Sequence, residues 1–151
     1  MKEVFSKVAE VKKSPEEVID VLKNPTRIKD FLENVPEEYL PRELKERIKY
    51  VGNKGIEIDF SGTHSEIMLE EVTEKHVKYG IKLPGVKEGV LFIQVLPSDE
   101  GSKMRLAGGY SLGFGPIGLF LRSRLNDKEV QEAMDGVVDT LAESFNKERE
   151  G

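Results

Sequence analysis

The hydrophobic period of the chain changes from strand-like to helical, and this change limits the folds open to it. Between residues 47 and 112, apolar and polar residues alternate in short runs, as in Ile56-Glu57-Ile58-Asp59-Phe60. Such alternation is typical of half-buried strands. Nearer the C-terminus, apolar residues recur at helical spacing and form one stripe: Val130, Met134, Val137, Val138, Leu141 and Phe145. We therefore expect a sheet whose apolar face is covered by one long helix.

The segment before this sheet is predicted to form one strand and two short helices. Residues 2–11 alternate and give the first strand. Ser14-Pro15-Glu16-Glu17 supplies a capping serine, a proline at the first helical position and a capping-box glutamate. Asn24-Pro25 ends this helix and begins a second one, which Pro36 stops. Residues 34–46, a charged stretch with two prolines, are expected to be a connector.

Six further strands are predicted at 47–51, 56–60, 65–72, 77–83, 90–96 and 104–112. Short turns join them, so consecutive strands pair antiparallel. The expected fold class is α+β, with a seven-stranded antiparallel curved sheet wrapped around a long C-terminal helix and two short helices after strand 1. The length of 151 residues fits a single domain, 1–151.

Composition and charge narrow the possible functions. The net charge of −5 argues against nucleic acid as a partner. The absence of cysteine excludes disulfides, thiol nucleophiles and thiolate metal sites. The sequence shows neither an apolar signal region nor a run of about 18 apolar residues, so we expect a cytoplasmic protein without a transmembrane segment. Abundant Lys and Glu, with Gln only at 94 and 131, are typical of thermophile proteins.

Histidines and glycines offer weak signals for metal or phosphate chemistry. His64 and His76, with Glu66 and Glu74 as partners, lack the spacing of a metal site, so we predict solvated histidines and no metal. The glycine-rich stretch 108–118 lacks the Gly-Lys-Ser/Thr ending of a phosphate loop. It is interpreted either as a bulged strand end followed by a helix start at Pro116, or as a flexible entry to the last helix.

Two groups of motifs resemble a known superfamily. Ala107-Gly108-Gly109-Tyr110-Ser111-Leu112-Gly113, continuing through Gly118-Leu119, and the helix end Leu141-Ala142-Glu143-Ser144-Phe145 resemble the polyketide-cyclase and CoxG-like branch of the START/Bet v 1-like (SRPBCC) superfamily. The opening Ser14-Pro15-Glu16-Glu17-Val18 with Asn24-Pro25 is similar to its first helix. The resemblance covers the whole length, although Val35–Glu46 departs from that branch.

This resemblance implies a helix-grip fold with a cavity between the sheet and the long helix, used for apolar ligands such as lipids and polyketides. It also implies that the glycine-rich segment lies near the cavity mouth, with Phe114 and Ile117 as a lid. The expected ligand-binding residues are Phe60, Tyr79, Ile81, Phe92, Gln94, Leu106, Tyr110, Phe114, Ile117, Met134, Val138 and Leu141. Alternation alone leaves open whether these residues line a cavity or fill a solid core.

The leading hypothesis is a binding or carrier module for a hydrophobic small molecule, without a cofactor. The first alternative is a cyclase or aromatase in which at least two of Tyr79, Tyr110 and Gln94 converge as proton or hydrogen-bond partners. The second is a CoxG-like assembly factor, which an apolar surface around Phe114–Phe120 would favour. No residue is assigned as catalytic, and a protein partner is left open.

Overall fold

The structure, a computed structural model, describes residues 3–38, 42–52, 54–60, 63–113, 115–116, 118–119, 123 and 126–150. Its strands are β1 (Phe5–Val11), β2 (Ile48–Val51), β3 (Gly55–Phe60), β4 (Thr63–Val72), β5 (His76–Lys82), β6 (Val86–Ser98) and β7 (Gly101–Leu112). The helices with defined bounds are α1 (Pro15–Leu22), α2 (Pro25–Asn34), α3 (Arg42–Lys45) and α4 (Asp127–Glu150). Pro116, Gly118, Leu119 and Ser123 are also helical, in agreement with the predicted helix start at Pro116.

The strands form one antiparallel sheet in the order β1-β7-β6-β5-β4-β3-β2. β2 to β7 follow one another as the predicted meander, and β1 closes the far side by pairing with β7, from Phe5 opposite Gly108 to Val11 opposite Ser102. The predicted α+β class, with an antiparallel sheet and a C-terminal helix, is confirmed.

The number of short helices differs from the prediction, because α3 lies inside the predicted connector 34–46. Side chains hold this single turn against the end of α2. Lys45 Nζ donates hydrogen bonds to the carbonyls of Glu33, at 3.2 Å, and Val35. Arg42 Nε lies 3.1 Å from Glu37 Oε1. A single helical turn is marginal by itself, so tertiary contacts that the sequence pattern does not reveal stabilise it.

Both predicted helix starts before the sheet are confirmed. Ser14 Oγ accepts a hydrogen bond from the amide of Glu17, whose carboxylate reaches back to the amide of Ser14. Asn24 Oδ1 accepts a hydrogen bond from the amide of Thr26 at 3.0 Å and so caps α2. Each cap satisfies amides that the first helical turn leaves unpaired.

Helix α4 runs alongside β1, the edge strand of the sheet. The Gln131 side chain accepts a hydrogen bond from the Ser6 amide and donates one to the Ser6 carbonyl, both at 3.0 Å. Further along, Asn146 Oδ1 accepts a hydrogen bond from the Lys12 amide at 2.9 Å. An edge strand otherwise presents unpaired backbone groups, so these amide side chains close part of the β1 edge.

Candidate ligand-binding site

The sheet has an inner face, which carries Val77, Tyr79 and Ile93 towards the helices, and an outer face on its other side. Strand register arranges the inner-face residues in rows that cross the sheet. One row runs Leu69, Tyr79, Leu91, Gly108, Phe5. The next row runs Ile56, Ile67, Ile81, Gly89, Tyr110.

One part of the interior is a closed core, which we call the packed half. Its side chains are all buried and come from β1, β5, β6, β7, α1 and the C-terminal part of α4. They are Phe5, Val11, Val18, Ile19, Leu22, Val77, Tyr79, Ile93, Val95, Met104, Leu106, Val138, Leu141, Ala142 and Phe145. Close packing of this kind gives the fold its main stabilisation.

The other part, which we call the open half, is lined by apolar side chains that stay partly exposed. They are Ile58, Ile67, Ile81, Leu83, Tyr110 and Leu112 from the sheet side, and Val130, Met134 and Val137 from the N-terminal part of α4. Ile81 also lines a groove on the outer face, so part of its exposed surface lies on that side. Burial thus divides the inner apolar side chains into a fully buried set and a partly exposed set.

Two inner-face glycines lie against apolar side chains of neighbouring strands. Gly108 lies under the ring of Phe5, which occupies the room that a side chain would take: a Cβ there would lie 2.6 Å from Phe5 Cζ. Gly89 lies between Ile81 and Tyr110, both partly exposed, and is itself partly exposed. A Cβ at Gly89 would lie 3.1 Å from Ile81 Cβ, so the side chain of Ile81 already occupies the room beside this glycine too.

The predicted ligand-binding residues separate into several groups. Ile81, Tyr110 and Met134 line the open half. Four others lie in the packed half and are part of the core: Tyr79, Leu106, Val138 and Leu141. The side chain of Phe60, and Phe114 and Ile117 as a whole, lie outside the described residues.

The prediction that Phe92 and Gln94 face the interior is wrong. Register pairs Gln94 with His76 and Arg105, and Phe92 with Lys78, which places both side chains on the outer face. The inner positions of β6 are the neighbouring ones, including Ile93, which is 2 % exposed. Strand β6 is apolar on both faces, so alternation within the strand does not identify its inner side.

The Tyr79 hydroxyl is already engaged within the protein. It donates a hydrogen bond of 2.6 Å to the carbonyl of Leu22, at the C-terminal end of α1. Burial raises the pKa of Tyr79 to about 12, because the buried site disfavours the phenolate. This hydrogen bond therefore links α1 to the sheet, and the hydroxyl is not available to orient a ligand.

Tyr110 is the predicted polar anchor that remains in the open half. Its pKa is raised above the ordinary tyrosine value, first by burial and then by the negative charge of Asp127 at the start of α4. The phenol thus lies in the field of the carboxylate where sheet and helix meet, and it stays protonated at neutral pH. In this state it can donate a hydrogen bond.

Ser65 is a polar inner-face residue that the sequence analysis missed. It is 0 % exposed, and its Oγ has no hydrogen-bond partner. It pairs with Ile58 across the β3–β4 hairpin and precedes Ile67 on the same face. Ser65, Ile67 and Leu69 occupy alternate positions, which predicts that the serine shares the inner face. A single serine is nevertheless a weaker indication of a binding site than a tyrosine or a glutamine.

The histidine prediction is corrected at His76, which packs on the outer face. Its ring centroid lies 4.7 Å from that of Phe92, its Nδ1 is 3.2 Å from Thr73 Oγ1, and its Nε2 is 3.4 Å from Glu71 Oε2. The side chain is 22 % exposed, because the aromatic contact covers it. The side chain of His64 lies outside the described ones. The described residues contain no group of three or more metal-ligating side chains that could hold an ion.

Two grooves elsewhere are weaker candidates. One on the outer face, about 520 Å³, is crossed by the ion pairs Glu66–Lys82 and Glu70–Lys78, both at 3.6 Å. The other, about 430 Å³, lies between α2 and the end of α4. Its walls mix apolar and polar side chains: Val21, Arg27, Asp30, Phe31, Asn34, Leu141, Ser144 and Phe145. Charged side chains line both grooves, so neither suits a purely apolar ligand.

Comparison with solved structures shows that this fold has been seen before. Protein CV1439 from Chromobacterium violaceum has a TM-score of 0.62 at 12% identity, over 94% of this chain and 96% of that one. The protein XoxI from Bacillus cereus has a TM-score of 0.60 at 19% identity, over 96% of both chains. The Aha1 dimer from Colwellia psychrerythraea gives 0.54 at 11% identity, over 97% of both.

Identities this low show a shared fold and no more. No protein-family model matches the chain, and no curated protein matches it either. Among the helices in the described residues, none has the length and apolar character that a bilayer crossing requires.

Proposed function

We propose that the chain is a binding or carrier protein of the START/Bet v 1-like type that holds a hydrophobic small molecule in the open half. The observation that carries this proposal is the difference in burial within one apolar interior. Ile93 and Val138 are at most 2 % exposed, whereas Tyr110 and Met134 keep exposed surface although they too face inward. A ligand that covers this surface removes apolar area from water, which supplies the binding free energy.

The proposed mechanism is desolvation of an apolar ligand between the sheet and the N-terminal part of α4. Tyr110 supplies a hydrogen-bond donor at the rim, which orients a polar group of the ligand. The glycine-rich segment that leads from β7 to α4 opens for entry. No bond is made or broken in this scheme, so it needs no cofactor.

The cyclase alternative draws less support than binding does. It requires convergence of at least two of Tyr79, Tyr110 and Gln94. Tyr79 is committed to the Leu22 carbonyl and Gln94 lies on the outer face, so Tyr110 alone borders the open half. The assembly-factor alternative depends on an apolar surface at residues 114–120, of which 114, 117 and 120 lie outside the described ranges. Among the described ones Leu119 is 54 % exposed, and one exposed leucine does not make an apolar patch.

The proposal is tested by filling the open half. In Ile81→Trp, the larger ring projects from the inner face into the proposed site. We expect the variant to bind a fluorescent apolar probe, N-phenyl-1-naphthylamine, at least tenfold more weakly than the natural chain. The matched control is Val8→Trp, which adds the same ring at an outer position that is 48 % exposed, and it should bind normally.

Native mass spectrometry of the purified protein, alone and with a panel of lipids and polyketides, completes the test. The proposal fails if the natural chain binds neither the probe nor any panel member. It also fails if Ile81→Trp binds as tightly as Val8→Trp.

A further inference from the structure

We infer that Ser65 anchors the ligand through its hydroxyl, and that the ligand is therefore an apolar molecule carrying an uncharged hydrogen-bonding group, a carbonyl or a hydroxyl. The inference rests on the proposed function and specifies the ligand class of the same site. It starts from a polar atom that the protein itself leaves unpaired.

Two buried serines of the sheet make the contrast clear. Ser65 and Ser102 are both 0 % exposed. Ser102 Oγ donates a hydrogen bond of 2.6 Å to the Lys13 carbonyl, so its polarity is satisfied within the fold. Ser65 Oγ has no such partner. A buried hydroxyl without a partner destabilises the folded state relative to a paired one, so its presence calls for a partner that is not part of the chain.

The position of Ser65 brings this hydroxyl to the edge of the open half. Ile58 lies directly opposite it on β3, and Ile67 follows it on the same face of β4. Both isoleucines are partly exposed, so one side chain separates Ser65 from the exposed surface of the open half. A ligand that pushes either side chain into another rotamer uncovers the hydroxyl.

The surroundings of Ser65 select an uncharged partner. Its inner-face neighbours Ile58 and Ile67 are aliphatic and offer no countercharge. A carboxylate or ammonium group placed beside them would lose its hydration without compensation, whereas a carbonyl or hydroxyl needs only one hydrogen bond. The serine hydroxyl can donate to a carbonyl oxygen or exchange a hydrogen bond with an alcohol.

The test compares four ligands of equal chain length: decane, 2-decanone, 1-decanol and decanoate. The affinity of each is measured by displacement of the naphthylamine probe from the natural chain and from Ser65→Ala. We expect the natural chain to prefer 2-decanone and 1-decanol over decane by about 3- to 10-fold, the factor that one net hydrogen bond supplies. Ser65→Ala should lose this preference while its affinity for decane stays unchanged.

Urea unfolding without ligand gives an independent readout. Ser65→Ala should unfold at the same or a higher urea concentration than the natural chain, because it removes an unpaired hydroxyl. Ser102→Ala, the matched control, should unfold at a lower concentration, because it removes a paired one.

The outcomes separate the two proposals. If the natural chain binds none of the four ligands and no probe, the binding function itself is refuted, and the anchor with it. If the chain binds them all but Ser65→Ala keeps the full preference for polar ends, only the anchor is refuted. Unfolding of Ser65→Ala at lower urea would also refute it, because the hydroxyl must then have a partner within the fold.

Discussion

The hydrogen bond from Tyr79 to Leu22 makes a sharp prediction about how α1 is held on the sheet. Tyr79→Phe removes the hydroxyl and keeps the buried ring. The Leu22 carbonyl belongs to the last turn of α1, where carbonyls have no partner within the helix. Loss of the hydroxyl therefore leaves this carbonyl without the bond of 2.6 Å that satisfies it.

The magnitude follows from burial at both ends of the bond. Tyr79 is 2 % exposed and Leu22 is 0 % exposed, so water does not readily replace the hydroxyl. A net hydrogen bond contributes about 1 kcal/mol, and leaving a buried acceptor unpaired costs about 1–3 kcal/mol. We expect Tyr79→Phe to lower the free energy of unfolding by about 2 kcal/mol at neutral pH. Because Tyr79 lies in the packed half, affinity for apolar ligands should change little.

The same side chain predicts a pH dependence of stability. Burial raises the pKa of Tyr79 from 10.0 to about 12, so the folded state holds the phenolic proton more tightly than the unfolded state does. The contribution is fully present below pH 10 and is lost as pH rises through the folded pKa. Between pH 10 and 12, the free energy of unfolding should fall by about 1.4 kcal/mol per pH unit from this group.

The assay is urea unfolding of the natural chain and Tyr79→Phe at several pH values from 7 to 11.5. Subtracting the two curves removes the contributions of the titratable groups that the two proteins share. The difference between the two proteins should be constant up to about pH 10 and then shrink. Equal stability at pH 7, or a difference that grows above pH 10, would refute the reasoning.

Two further predictions concern the segment before α4 and the β1 edge. Gly118→Ala places a methyl group in a clash with the Gly113 carbonyl oxygen, a backbone atom, and should destabilise the fold by about 1–3 kcal/mol in urea unfolding. Gly115→Ala, with nothing within 4 Å, is its control, and equal effects would contradict the proposed clash. Gln131→Leu removes both side-chain hydrogen bonds to Ser6, so hydrogen exchange of the Ser6 amide should accelerate while β5 amides stay unchanged. Unaltered exchange at Ser6 would show that Gln131 does not protect the edge.

The sequence pattern predicted the elements better than their faces. Alternation in β5 identified Val77, Tyr79 and Ile81 as inward because its other positions are polar or glycine. In β6, Val90, Phe92 and Leu96 are as apolar as the true inner residues, so only pairing with its neighbours decides the face. Cross-strand register depends on pairing across the whole sheet, so the sequence of one strand does not determine it.

The site was harder to predict than the fold, because it depends on which apolar surface and which polar atoms remain uncovered or unpaired after the side chains have packed. Tyr79 and Tyr110 look equivalent in sequence, yet one hydroxyl is bonded to Leu22 and the other faces the start of α4. Ser65 became a candidate only when its lack of a partner could be seen. Spacing predicts which face a side chain occupies, and it does not predict which polar atoms find partners on that face.

The contact between Gln131 and Ser6 also limits how the proposed ligand would enter and leave. Gln131 follows Val130 and precedes Met134, so the stretch of α4 that walls the open half is fixed to the outermost strand at this point. Lifting the helix away would break both bonds and expose the β1 edge to pairing with other chains. Ligand exchange should therefore proceed without movement of this wall, and its rate should depend on the opposite rim and on the glycine-rich approach to the helix.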